Sequence, residues 1–311
     1  MLLAKLRALI LGLLLTVSQA GEVLRIVAGH SVIADLAQRM VDERFQVDVL
    51  VPPGQCPHTY RPTPEDVRRL AQADLILLNG LGFEGWFEPL TKEARLRARV
   101  LAVSQGIAPL TTADTEQCPC GDEGHAHVDH TLKHETVIDP HAWNSLRQGI
   151  RYAENIRDAL LAIAPAEAAT ELRARADALI RELRRTDAWA IAELAQIPRA
   201  RRVIVTNHAA LGYFARDYGF RIVAPLGPMA ESQPSAREIT RIVAEIRTLG
   251  VPAVFFESGK NPKLIERIAE ESGVRIAGSL YVDGLGPPGS PAESYIAAFR
   301  HNVQTIVAAL K

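Results

Sequence analysis

Short apolar runs alternate with helical patterns along most of this chain. Leu24–Val27, Val47–Val51, Leu75–Leu78 and Val100–Val103 are too short for helices and suit buried strands. Between them lie amphipathic segments, one from about Ser31 to Val41 and one from Thr63 to Ala71. In the second, Thr63 supplies a cap, Pro64 suits the first helical position and Asp66 follows three residues on. The rhythm returns after residue 200. Strands are expected at Val203–Val205, Arg221–Ala224, Val254–Phe256 and from Arg275 through Gly278–Tyr281. Helices are expected at Leu211–Tyr218, Ser235–Leu249, Pro262–Glu271 and Pro291–Leu310. Strands alternating with helices indicate parallel sheets flanked by helices, an α/β fold.

One long helix separates the two patterns. Ala166 to Gln196 contains neither Gly nor Pro, and Leu172, Ala176, Leu179, Leu183, Ala190 and Leu194 form a single stripe. Unbroken, it spans ~45 Å. The sequence therefore predicts two α/β lobes, 21–165 and 197–311, joined by a connecting helix over 166–196. The rhythm breaks over about 105–137. There Cys118, Cys120, His125, His127, His130 and His134 stand among acidic residues with little to bury, which reads as a mobile insertion.

The N-terminus reads as an export signal. Lys5 and Arg7 precede an apolar stretch, Ala8–Val17, and Ser18-Gln19-Ala20 offers a cleavage site, so residues 1–20 are expected to be a removable signal peptide. The apolar stretch falls short of the ~20 residues that span a bilayer. Gly21 rather than a Cys comes directly after Ala20, so no lipid anchor is expected there. Lys and Arg number 35 against 36 acids. Nothing basic enough for a nucleic-acid partner is present. Cys56, Cys118 and Cys120 are an odd set, so at least one thiol stays free, pairs between chains or binds metal.

Ligands of parallel α/β sheets bind beyond the carboxyl ends of the strands. His58, His208 and Asp283 each follow such an end and His141 stands at the start of a helical pattern, two residues in each lobe. Their spacing alone does not unite them, since no compact motif such as H-E-x-x-H is present.

Several segments resemble a known family. Pro57-His58-Thr59-Tyr60-Arg61-Pro62-Thr63-Pro64-Glu65-Asp66, Asp139-Pro140-His141-Ala142-Trp143, Asn207-His208-Ala209-Ala210-Leu211-Gly212-Tyr213-Phe214 and Asp283-Gly284-Leu285-Gly286 look like the four ligand regions of the zinc- and manganese-binding solute-binding proteins of ABC transporters (cluster A-I). The likeness runs in order through the whole mature chain. It implies two α/β lobes on one long helix, with one metal held between them by His58, His141, His208 and Asp283. It also implies a periplasmic protein, expected to act as a monomer, that passes its metal to an ABC permease, with a soluble zinc chaperone as a further partner.

Manganese-type members usually carry Glu at the position of His208, whereas zinc-type members carry His. Three imidazoles and a carboxylate suit Zn²⁺, and Mn²⁺ prefers more oxygen. The expected cargo is therefore Zn²⁺, with manganese or iron in the same family as the alternative. A zinc hydrolase with Glu257 as base is the competing class. Glu257 is otherwise expected to orient a ligand histidine, and the insertion's His125, His127, His130 and His134 to gather metal loosely. Two departures stand out. Cys56 replaces the family's usual Asp, as a buried thiol, a disulfide partner of Cys118 or Cys120, or a metal ligand. Arg61 replaces a frequent Glu and puts positive charge near His58.

Overall fold

Strand β1 (Leu24–His30) buries its last five residues at the centre of a parallel sheet. β2 (Phe45–Val51), β3 (Leu75–Leu78) and β4 (Arg99–Ala102) complete it in the order β2-β1-β3-β4. Helices α1 (Ser31–Gln38), α2 (Pro64–Gln72) and α3 (Phe87–Ala94) make the crossovers. The computed structural model describes residues 23–94, 96–112, 137–229 and 233–311. The expected signal peptide and Cys118, Cys120, His125, His127, His130 and His134 lie outside the described residues.

α2 starts where its sequence cap demands. Thr63 Oγ1 accepts the Asp66 N–H, and Asp66 Oδ2 accepts the Thr63 N–H at 2.7 Å. Such a box satisfies two otherwise orphaned donors, and here it fixes the chain just after His58. Two short antiparallel strands, β5 (Leu110–Thr111) and β6 (Ile138–Asp139), pair side by side. Order thus reaches into the expected insertion: Ile107 is buried and Leu110 N–H donates to the Tyr213 hydroxyl at 3.0 Å.

α4 (Leu146–Ile163) turns directly into α5 (Ala166–Leu194), the long helix, which packs along α4 and along α9 (Tyr295–Leu310). The expected stripe from Leu172 to Leu194 is the face that α5 buries. Beyond it, β7 (Val203–Val205) pairs in parallel with β8 (Arg221–Val223), and β9 (Ala253–Glu257) with β10 (Arg275–Leu280). β7 lies beside β9. α6 (Gly212–Tyr218), α7 (Ala236–Leu249) and α8 (Lys263–Ser272) flank these strands. α9 begins at Tyr295 rather than at Pro291, because Ser294 Oγ accepts the Ala297 N–H and caps it there.

One apolar core runs through both lobes. It joins Ile26, Leu36 and Trp143 to Leu179, Leu183, Phe214, Phe255, Phe299 and Leu310. Smaller clusters sit around Leu50, Leu70 and Ile76 on one side and around Val205, Ile242 and Ile268 on the other.

The core is tight where α4 meets α9. Tyr295 donates to the carbonyl of Trp143 at 2.5 Å. A Cβ at Gly149 would fall 2.1 Å from the Tyr295 oxygen. Gly149→Ala should therefore destabilise the protein by about 1–3 kcal/mol, as overpacking does, read as a lowered urea midpoint. An unchanged midpoint would mean that Tyr295 moves aside freely.

Candidate metal centre

His58 sits in a short 3-10 turn (Pro57–Thr59) after β2, and His141 follows β6 at the start of another (Ala142–Asn144). His208 comes three residues after β7, and Asp283 three after β10. All four side chains converge, and their donor atoms lie within 4.8 Å of one another. Asp283 Oδ1 is 3.2 Å from His208 Nε2, 3.6 Å from His58 Nε2 and 3.7 Å from His141 Nε2. The His58 and His141 Nε2 atoms are 2.9 Å apart. Four donors at ~2.0–2.1 Å from one tetrahedral ion would stand ~3.3–3.4 Å from each other. The side chains are no more than 6% exposed.

Two of the imidazoles are held by a repeated device. Asp139 Oδ1 accepts both the backbone N–H of His141 and its Nδ1, each at 2.9 Å. Glu257 does the same for His208, Oε1 taking the backbone N–H at 2.9 Å and Oε2 the Nδ1 at 2.5 Å. A carboxylate on Nδ1 fixes the tautomer that leaves Nε2 free for a metal. His208 Nε2 and Asp283 Oδ1 have no hydrogen-bond partner among the described residues. Glu257, the last residue of β9, thus stands where an orienting group is expected. Asp139 performs the equivalent task and was not singled out from the sequence, although its place two residues before His141 is a usable signal.

The charges are balanced within the cleft. Burial pushes the Asp283 carboxyl up, but His208, His58 and Lys260 reverse this and hold it well below the usual carboxylate range. Burial lowers His208, yet Asp283 and Glu257 more than offset it and raise its pKa to about 10. His141 is lowered, by burial first, against the opposing pull of Asp139. His30 is outside the donor cluster. Its ring packs on Phe83 and Trp143, and burial pushes it down to about 3, a neutral space-filler.

Hydrogen bonds across the lobes fix the donor loops to one another. Trp143 Nε1 donates to the Val282 carbonyl at 2.9 Å. Asn144 Nδ2 donates to the carbonyls of Ala210 (2.9 Å) and Val282 (3.0 Å). The loop of His141 is therefore tied to both His208 and Asp283. Leu285 N–H donates to Ser31 Oγ, and Gly54 N–H to the Leu285 carbonyl, each at 2.9 Å.

Lys260 is a second residue that sequence reasoning missed. Its Nζ is 2.9 Å from Asp283 Oδ2 and 3.2 Å from Cys56 Sγ. Cys56 is half-buried, has no disulfide partner among the described residues, and lies 3.9 Å from the same Asp283 oxygen. Arg61 is exposed and lines an open groove beside β2.

Two lobes on a rigid helix, with an inward-facing set of metal donors where they meet, define a solute-binding protein for a metal cation. The comparisons give the family. Residues 26–309 match the family described as zinc-uptake complex component A, periplasmic (ZnuA), and the chain belongs to it. Its members serve as metal-binding components of ABC transporters rather than as enzymes. The chain is 33% identical over 293 residues to the manganese-binding lipoprotein MntA of Halalkalibacterium halodurans, covering 94% of this chain and 90% of the relative. It is 32% identical to the iron-binding protein YfeA of Yersinia pestis, covering 93% and 87%. Its structure resembles the periplasmic zinc binding protein TroA from Treponema pallidum, with a TM-score of 0.79, 29% identity and coverage of 92% and 98%. Among the described residues no helix is long and apolar enough to cross a membrane.

The raised His208 sets a pH dependence. Its ordinary pKa is 6.5 and its folded value about 10. Its protonated form therefore stabilises the metal-free fold fully below pH 6.5, and that contribution is lost as pH rises through about 10. Metal binding needs the neutral ring, so at about pH 8 binding should expel about one proton. Calorimetry in buffers of different ionisation enthalpy measures this. Zero release would mean that the His208 ring is already neutral before metal binds.

Proposed function

We propose that this protein captures Zn²⁺ in the cleft between its lobes and hands it to the membrane permease of an ABC importer. His58, His141, His208 and Asp283 serve as the ligands, Glu257 and Asp139 as their orienting groups. The observation that carries this reading is the donor set: three imidazole nitrogens and one carboxylate oxygen, buried and aimed at a single point. A nitrogen-rich set of four suits Zn²⁺, which takes tetrahedral N/O sites.

The relatives' names favour a second reading, a manganese or iron cargo, since two of them are a manganese-binding and an iron-binding protein. Mn²⁺ prefers oxygen-rich sites of higher coordination and stands lowest in the usual affinity order. The donor chemistry supports zinc over both.

In this reading residues 1–20 direct export to the periplasm, where the protein acts as a monomer. The lobes are 21–165 and 197–311. The bonds from Trp143, Asn144 and Leu285 across the cleft restrain wide opening, so release proceeds through small shifts of the donor loops.

Metal analysis of the protein isolated from its native compartment tests the cargo. Zinc near one equivalent is expected, and manganese or iron in its place moves the assignment to the second reading. His208→Ala should weaken Zn²⁺ binding more than about 100-fold, beyond the effect of losing an orienting partner. Competition against a chromophoric chelator reads this, and unaltered affinity would sink the site. Glu257→Gln, which keeps the shape but not the charge, should cost about 10–100-fold in the same assay.

A further inference from the structure

Asp283 presents two oxygens to two different environments. Oδ1 faces the three Nε2 atoms and has no hydrogen-bond partner among the described residues. Oδ2 faces away from them, toward the Lys260 ammonium at 2.9 Å and the Cys56 thiol at 3.9 Å. Lys260 reaches this position from the turn that closes β9. The turn starts at Glu257, whose carbonyl accepts the Lys260 N–H at 3.1 Å, and passes through Gly259 at φ +84. A side chain at residue 259 would be strained in that backbone conformation. One short turn thus carries both the carboxylate that orients His208 and the ammonium that grips Asp283.

The grip has a coordination consequence. A carboxylate binds a cation through one oxygen or chelates it through both. Chelation here would require Oδ2 to leave the ammonium and swing toward the imidazoles, bringing the incoming cation closer to a positive charge. Lys260 is 22% exposed. Burial works against its charged form, but Asp283 more than offsets this and raises the group above its ordinary value.

We propose that Lys260 is a specificity-determining residue: by occupying Oδ2 of Asp283 it limits that ligand to one oxygen and holds the site to four donors. The proposal rests on the reading of His58, His141, His208 and Asp283 as the metal ligands. A shell of three nitrogens and one oxygen favours zinc over manganese, and freeing Oδ2 adds the second oxygen that a harder ion of higher coordination prefers. Lys260 touches no metal itself. It acts through Asp283, so it is a positioning residue.

Lys260→Met keeps the length of the side chain and removes its charge, Lys260→Gln provides a second neutral variant, and Lys260→Arg restores a cationic donor. Two readouts are taken on the full-length mature protein: the visible absorption of bound Co²⁺, intense for four-coordinate and weak for five-coordinate sites, and the ratio of Zn²⁺ to Mn²⁺ affinity by competition. The wild type and Lys260→Arg should give the intense spectrum. Lys260→Met or Lys260→Gln, whichever folds with a wild-type circular dichroism spectrum, should give the weak one. Their zinc-over-manganese ratio should fall by about tenfold, the lower end of effects seen for groups that orient metal ligands. Neutral variants with an unaltered spectrum and ratio overturn the role of Lys260 while leaving the metal site standing. A wild type that binds neither Co²⁺ nor Zn²⁺ overturns the site and this role together.

Discussion

Everything in this protein is arranged around one buried carboxylate. Asp283 is 5% exposed, and an ionised group in such a place costs several kcal/mol unless its charge is met. Two partners meet it: the Lys260 ammonium on one oxygen and the His208 ring on the other. When His208 gives up its proton, a divalent cation must take over the same duty. Proton and metal are thus alternatives for one electrostatic task. Lys260 performs its share in both states, which is why the carboxylate stays ionised throughout.

The same constraint explains the effort spent on aiming the rings. Three imidazoles with their Nε2 atoms a few ångströms apart do not assemble by packing alone, since each ring must present the same nitrogen to one point. Asp139 and Glu257 compensate by taking the opposite nitrogen together with the backbone N–H of the same residue. Each carboxylate therefore locks a ring and its main chain in one grip. Trp143 and Asn144 then fasten the loop of His141 to the carbonyls beside Asp283 and His208. Such grips leave the rings little to order on binding.

Much of this was legible in the sequence, at different levels. Leu75–Leu78 and Val203–Val205 stand as strands with the bounds their apolar runs set, and Thr63 caps the helix it was expected to cap. Local chemistry decides such features. The donor set was legible only through family motifs, because residues 58, 141, 208 and 283 meet by topology and no local pattern records that. The pair β5–β6 escaped because two-residue strands carry no periodicity. The short helix α3 and the start of α9 depended on turns and caps that compete closely in sequence. Lys260 escaped for a different reason. A lysine in a Gly-Lys-Asn turn looks like any solvated loop residue, and only the fold brings Asp283 and Cys56 to its ammonium.

The shared core has a consequence for how the chain keeps its shape. Phe299, Val303, Ile306 and Leu310 of α9 pack into the same cluster as Ile26 and Leu36 near the other end. Neither lobe owns a complete interior until the last helix is present. Loss of α9 would therefore open the interior of both lobes at once, while the smaller clusters around Ile76 and Ile242 stayed covered.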